Sequence, residues 1–203
     1  LIDLGLIDYQ KAWDFQTDLF NQKIQSKLHK SANDLPTDGV LHHLILCSHP
    51  SVFTIGKNGN ENHLLLSKQI LSEKKIDFFK SNRGGDITFH GIGQCVGYPI
   101  LDLEDFKLDI NWYMRSLEEV IILTLAQFGI IGERIDKVTG VWIDANNPKS
   151  ARKICAFGVR TSRWITMHGF ALNIHTDLDF YKMIVPCGIS DKGVTSIQQE
   201  LGE

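Results

Sequence analysis

Cys187 stands between Pro186 and Gly188, outside any periodic stretch of the chain. The proline fixes the approach to the thiol and the glycine leaves room beyond it. A cysteine attacks as its thiolate, so it needs access and a group that lowers its pKa from about 8.5. From composition alone, a nucleophile and an inert loop thiol both remain open. Cys47, Cys95 and Cys155 lie in apolar runs, where a buried, unreactive thiol is the default. Lys153 opens the run Ile154-Cys155-Ala156-Phe157-Gly158-Val159. A lysine at a strand entrance is ordinarily solvated, but close to a cysteine its ammonium favours the thiolate. Strict alternation puts Lys153, Cys155 and Phe157 on one face and Ile154, Ala156 and Gly158 on the other. Gly169 and Ala171 on the partner strand are also small. Such residues leave a slot for an aliphatic chain, but from the spacing alone ordinary close packing against a helix is the preferred reading.

Arg83, Gly84 and Gly85 form a second group. Adjacent glycines let a ligand approach the backbone, and consecutive N–H groups in such a turn cradle an anion. Arginine adds a planar fork for a carboxylate or phosphate. The competing reading is a glycine-rich turn with a solvated arginine. On the functional reading, a side chain at Gly85 enters the site and one at Gly56 does not. His90 and His168 each fit a catalytic pairing or a structural hydrogen bond. GxGxxG, CxxC, HxxxH and HExxH are absent, so neither a dinucleotide fingerprint nor a metal centre has support.

The elements that must position these groups belong to an ordinary globular chain. Of 203 residues, 43% are hydrophobic and 22% charged, which excludes global disorder. Lys+Arg is 21 and Asp+Glu is 24, a net charge of −3, which argues against a nucleic-acid binder relying on overall basic charge. Four cysteines without a CxxC point to a reducing, cytoplasmic setting. The first residue is Leu1 rather than Met, which suggests a trimmed chain, and no signal peptide or membrane span is legible.

Tyr9, Trp13, Phe20, Ile24 and Leu28 form one helical stripe, with Asp8 as N-cap. Strands are expected over 40–47, 52–55, 76–79 and 95–103. A second helix starts at Asp109, with Ile110, Met114, Leu117, Ile121, Leu125 and Phe128 as its stripe and Gly129 just past its end. Lys153–Arg160 and Trp164–Ile174 read as a hairpin linked through Thr161, Ser162 and Arg163. The expectation is a single α/β domain over 1–203, a mixed, largely antiparallel sheet flanked by helices.

In this order the segments resemble the octanoyltransferases of lipoate biosynthesis, the lipoate-protein ligase B family. The matching runs are Arg83 to Gln94, Tyr98-Pro99-Ile100, Gly140 to Ile143, Lys153 to Arg160, His168 to Asn173 and Pro186-Cys187-Gly188. Leu4-Gly5, Tyr9, His49-Pro50 and Thr195-Ser196 also fit. Each piece is weak; their combination is specific. The chain has Ile92 where the family usually has proline, and Phe89 where it often has tyrosine; neither change removes a reacting group. It ends 203 − 187 = 16 residues after Cys187, and relatives commonly run further, so a C-terminal segment is expected beyond it.

The resemblance implies the biotin and lipoate ligase catalytic-domain fold. It also implies transfer of octanoyl from octanoyl-acyl carrier protein to a lysine of a lipoyl domain, without cofactor or metal. The acceptors implied are 2-oxoacid dehydrogenases and the glycine cleavage H protein, and neither nucleic acid nor membrane is a partner of this expected monomer. By position Cys187 would be the nucleophile and Lys153 the group that activates it. Arg83, Gly84, Gly85, Asp86, Ile87, Thr88, Phe89, His90, Ala156, Phe157, Gly158, Gly169, Phe170 and Ala171 would line the substrate site. A basic patch of Arg152, Lys153, Arg160 and Arg163 would receive acidic protein substrates. The competing readings are an ATP-dependent lipoate or biotin ligase on the same fold and a non-enzymatic acyl-binding module.

Overall fold

A computed structural model describes residues 1–33, 41–185 and 192–202. Cys187, with its neighbours Pro186 and Gly188, lies outside the described residues. In chain order the first half contains β1 (Ile2–Leu6), α1 (Tyr9–Asn33), β2 (His43–Ser48), β3 (Val52–Ile55), α2 (Lys68–Glu73), β4 (Asp77–Lys80), β5 (Ile87–His90) and β6 (Gln94–Ile100). The second half contains α3 (Ile110–Ala126), β7 (Glu133–Ile135), β8 (Val138–Ile143), β9 (Arg152–Ser162), β10 (Ile165–Asn173), β11 (Gly193–Val194) and α4 (Ile197–Leu201).

The main sheet runs β1-β2-β6-β10-β9-β8-β7, with β11 added to β9. Its junctions are antiparallel except β1 with β2 and β11 with β9. The mixed, largely antiparallel α/β architecture is thus as expected, but the strands divide into two sheets. β4, β3 and β5 form a separate three-stranded sheet. Pro50 between β2 and β3 has no N–H to extend a ladder, and beyond it Val52–Ile55 is buried at every position. β1 was not anticipated; its short run is interrupted by Gly5 and its register slips between Asp3 and Leu6.

Alternation along β6 and β10 splits the core between two helices. Val96, Tyr98, Ile165, Met167 and Ala171 pack with Ala12 and Phe20 of α1. Leu172, with the partly buried Cys95 and Phe170, joins Ile121 and Leu125 of α3. Asp109 caps α3 by accepting the Trp112 N–H at 3.0 Å. Gly129 sits at φ +72 and the Ile130 N–H returns to the Leu125 carbonyl at 3.1 Å, which closes the helix. Phe128 lies beyond the last turn and is exposed rather than part of the buried stripe.

The β9–β10 hairpin is tighter than the sequence suggests. Thr161 and Ser162 pair with Thr166 and Ile165, so the link is Arg163-Trp164. Both link residues have positive φ, 51° and 65°, as in the I′ turn whose twist matches that of the strands it joins.

Candidate active site

The hairpin faces small residues against one another: Gly158 opposite Gly169 and Ala156 opposite Ala171, with Phe157 opposite Phe170 between them. The loop before β5 rests on this hairpin, where the Gly84 N–H donates to the Val159 carbonyl at 2.8 Å. A cavity of about 480 Å³ lies between them, a usual size for a small-molecule site. Arg83, Gly84, Gly85, Asp86, Ile87, Thr88 and His90 form one wall, and Lys153, Ala156, Phe157, Gly158, Gly169, Phe170 and Ala171 line the other. Tyr9, Tyr98, Met114, Cys155, His168 and Val194 are among the further lining residues, none of them in the expected substrate-site set. Phe89 is not in the wall. It packs in the core, where it stacks on Phe180 at 4.4 Å.

Arg83 does not present the open anion fork expected of it. Its buried guanidinium donates to the carbonyls of Thr54 at 2.7 Å, Asp86 at 2.8 Å and Gly84 at 3.0 Å. The arginine therefore shapes the loop by tying down its carbonyls. Gly56 is equally committed to this loop, because a Cβ there would lie 2.3 Å from the Gly85 carbonyl oxygen. The expected contrast between Gly85 and Gly56 is thereby overturned. Gly56→Val should disable the site as Gly85→Val does. Gly56→Ala should lower unfolding free energy by about 2 kcal/mol in urea titrations, the scale of an overpacked interior. A wild-type midpoint for Gly56→Ala would show that the loop yields without cost.

Both histidines at the cavity are fixed by hydrogen bonds within the fold. His90 shares Nδ1 with Gln94 at 2.9 Å and Nε2 with Thr54 at 3.3 Å. Burial, then His49 and Arg83 nearby, hold its pKa well below the usual value. His168 meets Asn82 through Nε2 at 2.7 Å, and burial, aided by Arg83 and Arg160, pushes its pKa down to about 3. Unfolded, it titrates near about 6.5. The unfolded chain therefore binds more protons between those values, so this contribution to stability is whole above pH 6.5 and is lost as pH falls toward 3. His168 also has φ +58, which asparagine tolerates. His168→Asn should lose less stability than wild type when urea titrations are compared at pH 7 and pH 4.5. Parallel losses would remove His168 as a source of acid lability.

The cysteines inside the fold are poor nucleophiles. Burial pushes the Cys47 thiol up to about 12 and also raises Cys95 and, strongly, Cys155.

Lys153 is buried rather than solvated, only 9% exposed. Val141 pairs with Cys155 but Trp142 pairs with Lys153, so Ile154 is an extra residue in a β-bulge. Strict alternation therefore fails here, and the bulge re-aims the lysine. Its Nζ lies over the Trp142 ring, 4.6 Å from the centroid. Behind it Gly140, at φ +141, donates its N–H to Glu118 at 2.9 Å. Glu118 is fully buried on α3 and is held by Arg115 at 2.9 Å and Arg134 at 3.2 Å. A glutamate three residues before Ile121, on the apolar stripe, was the sequence signal for this buried carboxylate, and it was missed.

The described chain on either side of Cys187 is tied to the fold, and the segment after it pairs with this lysine. Before it, the Val185 N–H donates to the His63 carbonyl at 2.8 Å. After it, Gly193 and Val194 pair with Arg152 and Lys153, and the Thr195 N–H donates to the Lys153 carbonyl at 2.9 Å. Of the expected basic patch, Arg152 is bonded to Asp144 and Glu200, Lys153 is buried and Arg160 lies over the Phe20 ring, while Arg163 stands exposed at the hairpin turn.

The family model for the lipoyl protein ligase A/B catalytic domain matches residues 8–203. The chain belongs to this family. It is 58% identical over 202 residues to the octanoyltransferase of Cytophaga hutchinsonii, covering 98% of this chain and 82% of that protein. It is 52% identical over 204 residues to that of Flavobacterium johnsoniae, covering 100% and 86%. The fold is similar to protein Ta0514 from T. acidophilum solved with lipoic acid, at TM-score 0.65 and 15% identity over 98% of this chain and 76% of that one. It also matches a lipoate-protein ligase A bound with ATP, at TM-score 0.66 and 15% identity over 98% and 75%. Within the family's glycine-rich loop, Ile92 in place of the usual proline is 64% exposed, so this departure disturbs no packing. No helix among the described residues is long and apolar enough to cross a membrane.

Proposed function

We propose that the protein is an octanoyltransferase that moves octanoyl from acyl carrier protein to a lysine of a lipoyl domain through a Cys187 thioester. The observation that supports this reading is the buried Lys153 in the wall of a cavity roofed by the Arg83–Asp86 loop, with Val194, from the chain that follows Cys187, paired to it. The close relatives named octanoyltransferase support it.

The Cys187 thiolate attacks the donor carbonyl. A new C–S bond forms, the donor C–S bond breaks, and the carrier leaves as a thiolate that takes up a proton. The neutral amine of the acceptor lysine then attacks the Cys187 thioester. A C–N bond forms, the C–S bond breaks, and the amine's surplus proton passes through Lys153 to solvent as the cysteine thiolate returns. Thioester exchange is nearly balanced in energy, so the acylation step draws on no ATP. The small-residue slot along β9 and β10 receives the acyl tail. Burial of its six methylenes contributes roughly 5 kcal/mol at about 0.8 kcal/mol each. The free thiols at Cys47, Cys95 and Cys155 suit a reducing cytoplasm, where a single copy of the chain would act on the lipoyl domains of 2-oxoacid dehydrogenases and the glycine cleavage H protein.

Intact-mass measurement after incubation with octanoyl-acyl carrier protein tests this directly. One octanoyl adduct on Cys187, which then moves to an added lipoyl domain, is the expected result. Acylation of the lipoyl domain only with free octanoate plus ATP would make the protein a ligase. Retention of octanoyl without transfer would make it a binding module.

A further inference from the structure

We propose that Trp142 is the positioning residue that holds the Lys153 ammonium at the cavity wall. The inference rests on the Cys187–Lys153 reading above and adds a residue to it. Three observations meet at this indole. Trp142 is the direct cross-strand partner of Lys153, and the bulge at Ile154 creates that pairing. The lysine Nζ stands over the ring at 4.6 Å from its centroid. Among the described residues the buried indole Nε1 has no hydrogen-bond partner, a cost that a plain apolar side chain would avoid. A tryptophan at this position therefore offers the lysine something that packing alone would obtain more simply from leucine. That feature is the negative face of its ring, the strongest of the aromatic side chains for a cation.

The backbone of Gly140 supplies the opposing wall. A Cβ on it would stand 3.0 Å from both Lys153 Cε and Trp142 Nε1. The lysine stem is thus confined between a glycine and the indole. Glu118 accepts the N–H of that glycine, so a carboxylate on α3 steadies the wall from behind. Charge on the ring face and confinement of the stem together hold the ammonium at one place. An activating charge needs this, because its effect on a thiol falls with distance.

The test compares Trp142→Leu, Trp142→Phe and Lys153→Ala in the full chain, each checked for cooperative unfolding. Leu and Phe both leave space where the indole was, but only Phe keeps a ring face. Trp142→Leu is expected to lower kcat ~10-fold, the scale of a desolvated cation–π contact, with the donor KM little changed. Its pH profile for Cys187 alkylation by iodoacetamide should move toward higher pH, as that of Lys153→Ala does, and Trp142→Phe should recover part of both losses. Site-specific fluorinated tryptophans at 142 provide a version with the shape unchanged, in which kcat should fall stepwise as fluorine drains the ring face. A shift in Lys153→Ala with a wild-type profile in folded Trp142→Leu, or no response to fluorination, overturns the role of Trp142 alone. A wild-type profile in Lys153→Ala as well overturns the Cys187–Lys153 reading together with it.

Discussion

Cys187→Ser is expected to lower acyl transfer by ~10³-fold or more while leaving the fold intact, as loss of a covalent nucleophile does. A serine hydroxyl ionises far above neutral pH, and an ammonium nearby cannot bring it into range. The variant should form no octanoyl adduct in an intact-mass measurement. The other thiols provide the contrast. Cys47, Cys95 and Cys155 have their pKa values raised by burial, so their alanine variants should retain most turnover after correction for lost stability. Wild-type turnover in Cys187→Ser would end the covalent mechanism.

Lys153→Ala carries the second large effect. Loss of a group that both favours the thiolate and moves a proton should lower kcat by ~10²- to 10⁴-fold. The midpoint of Cys187 alkylation should move to higher pH, because an ammonium beside a thiol favours its ionised form. Lys153→Arg keeps the charge and should restore part of the alkylation rate, but not turnover, since arginine hardly ever gives up a proton. The lysine is buried beside Trp142, so Lys153→Ala also removes packing of its aliphatic stem. Its stability should be measured alongside its rate. Loss of rate with an unchanged alkylation profile would leave Lys153 as a substrate-positioning group.

The fold was legible where local physics acts alone. The stripe of α1 up to Ile24, the Asp109 cap and Gly129 terminus of α3, and the paired strands β9 and β10 all follow from short-range spacing, while Leu28 at the end of the stripe is exposed. The division into two sheets was not, since whether a strand stays on its neighbour depends on what covers it. Within the site, motif order brought Arg83 to His90 and the β9–β10 residues into one expected wall, and all of these but Phe89 line the cavity. Arg83 shows what type and spacing leave open: an arginine beside two glycines suits an anion, and here three backbone carbonyls also accept from it.

The sequence by itself determined the two long helices, α1 and α3, about half of the strands, the family resemblance and many of the residues that converge on the cavity. The helices and strands depend on periodicity within a few dozen positions, and the resemblance and the cavity residues on the order of short motifs along the chain. Only the tertiary structure decided that Lys153 is buried over Trp142, that Glu118 supports it through Gly140, and that Gly56 is bound to the substrate loop. Those contacts join residues that share no periodic pattern. The bulge at Ile154 shows the reason most directly: one extra residue in a ladder reverses which way a side chain points, and a ladder exists only once two strands have met.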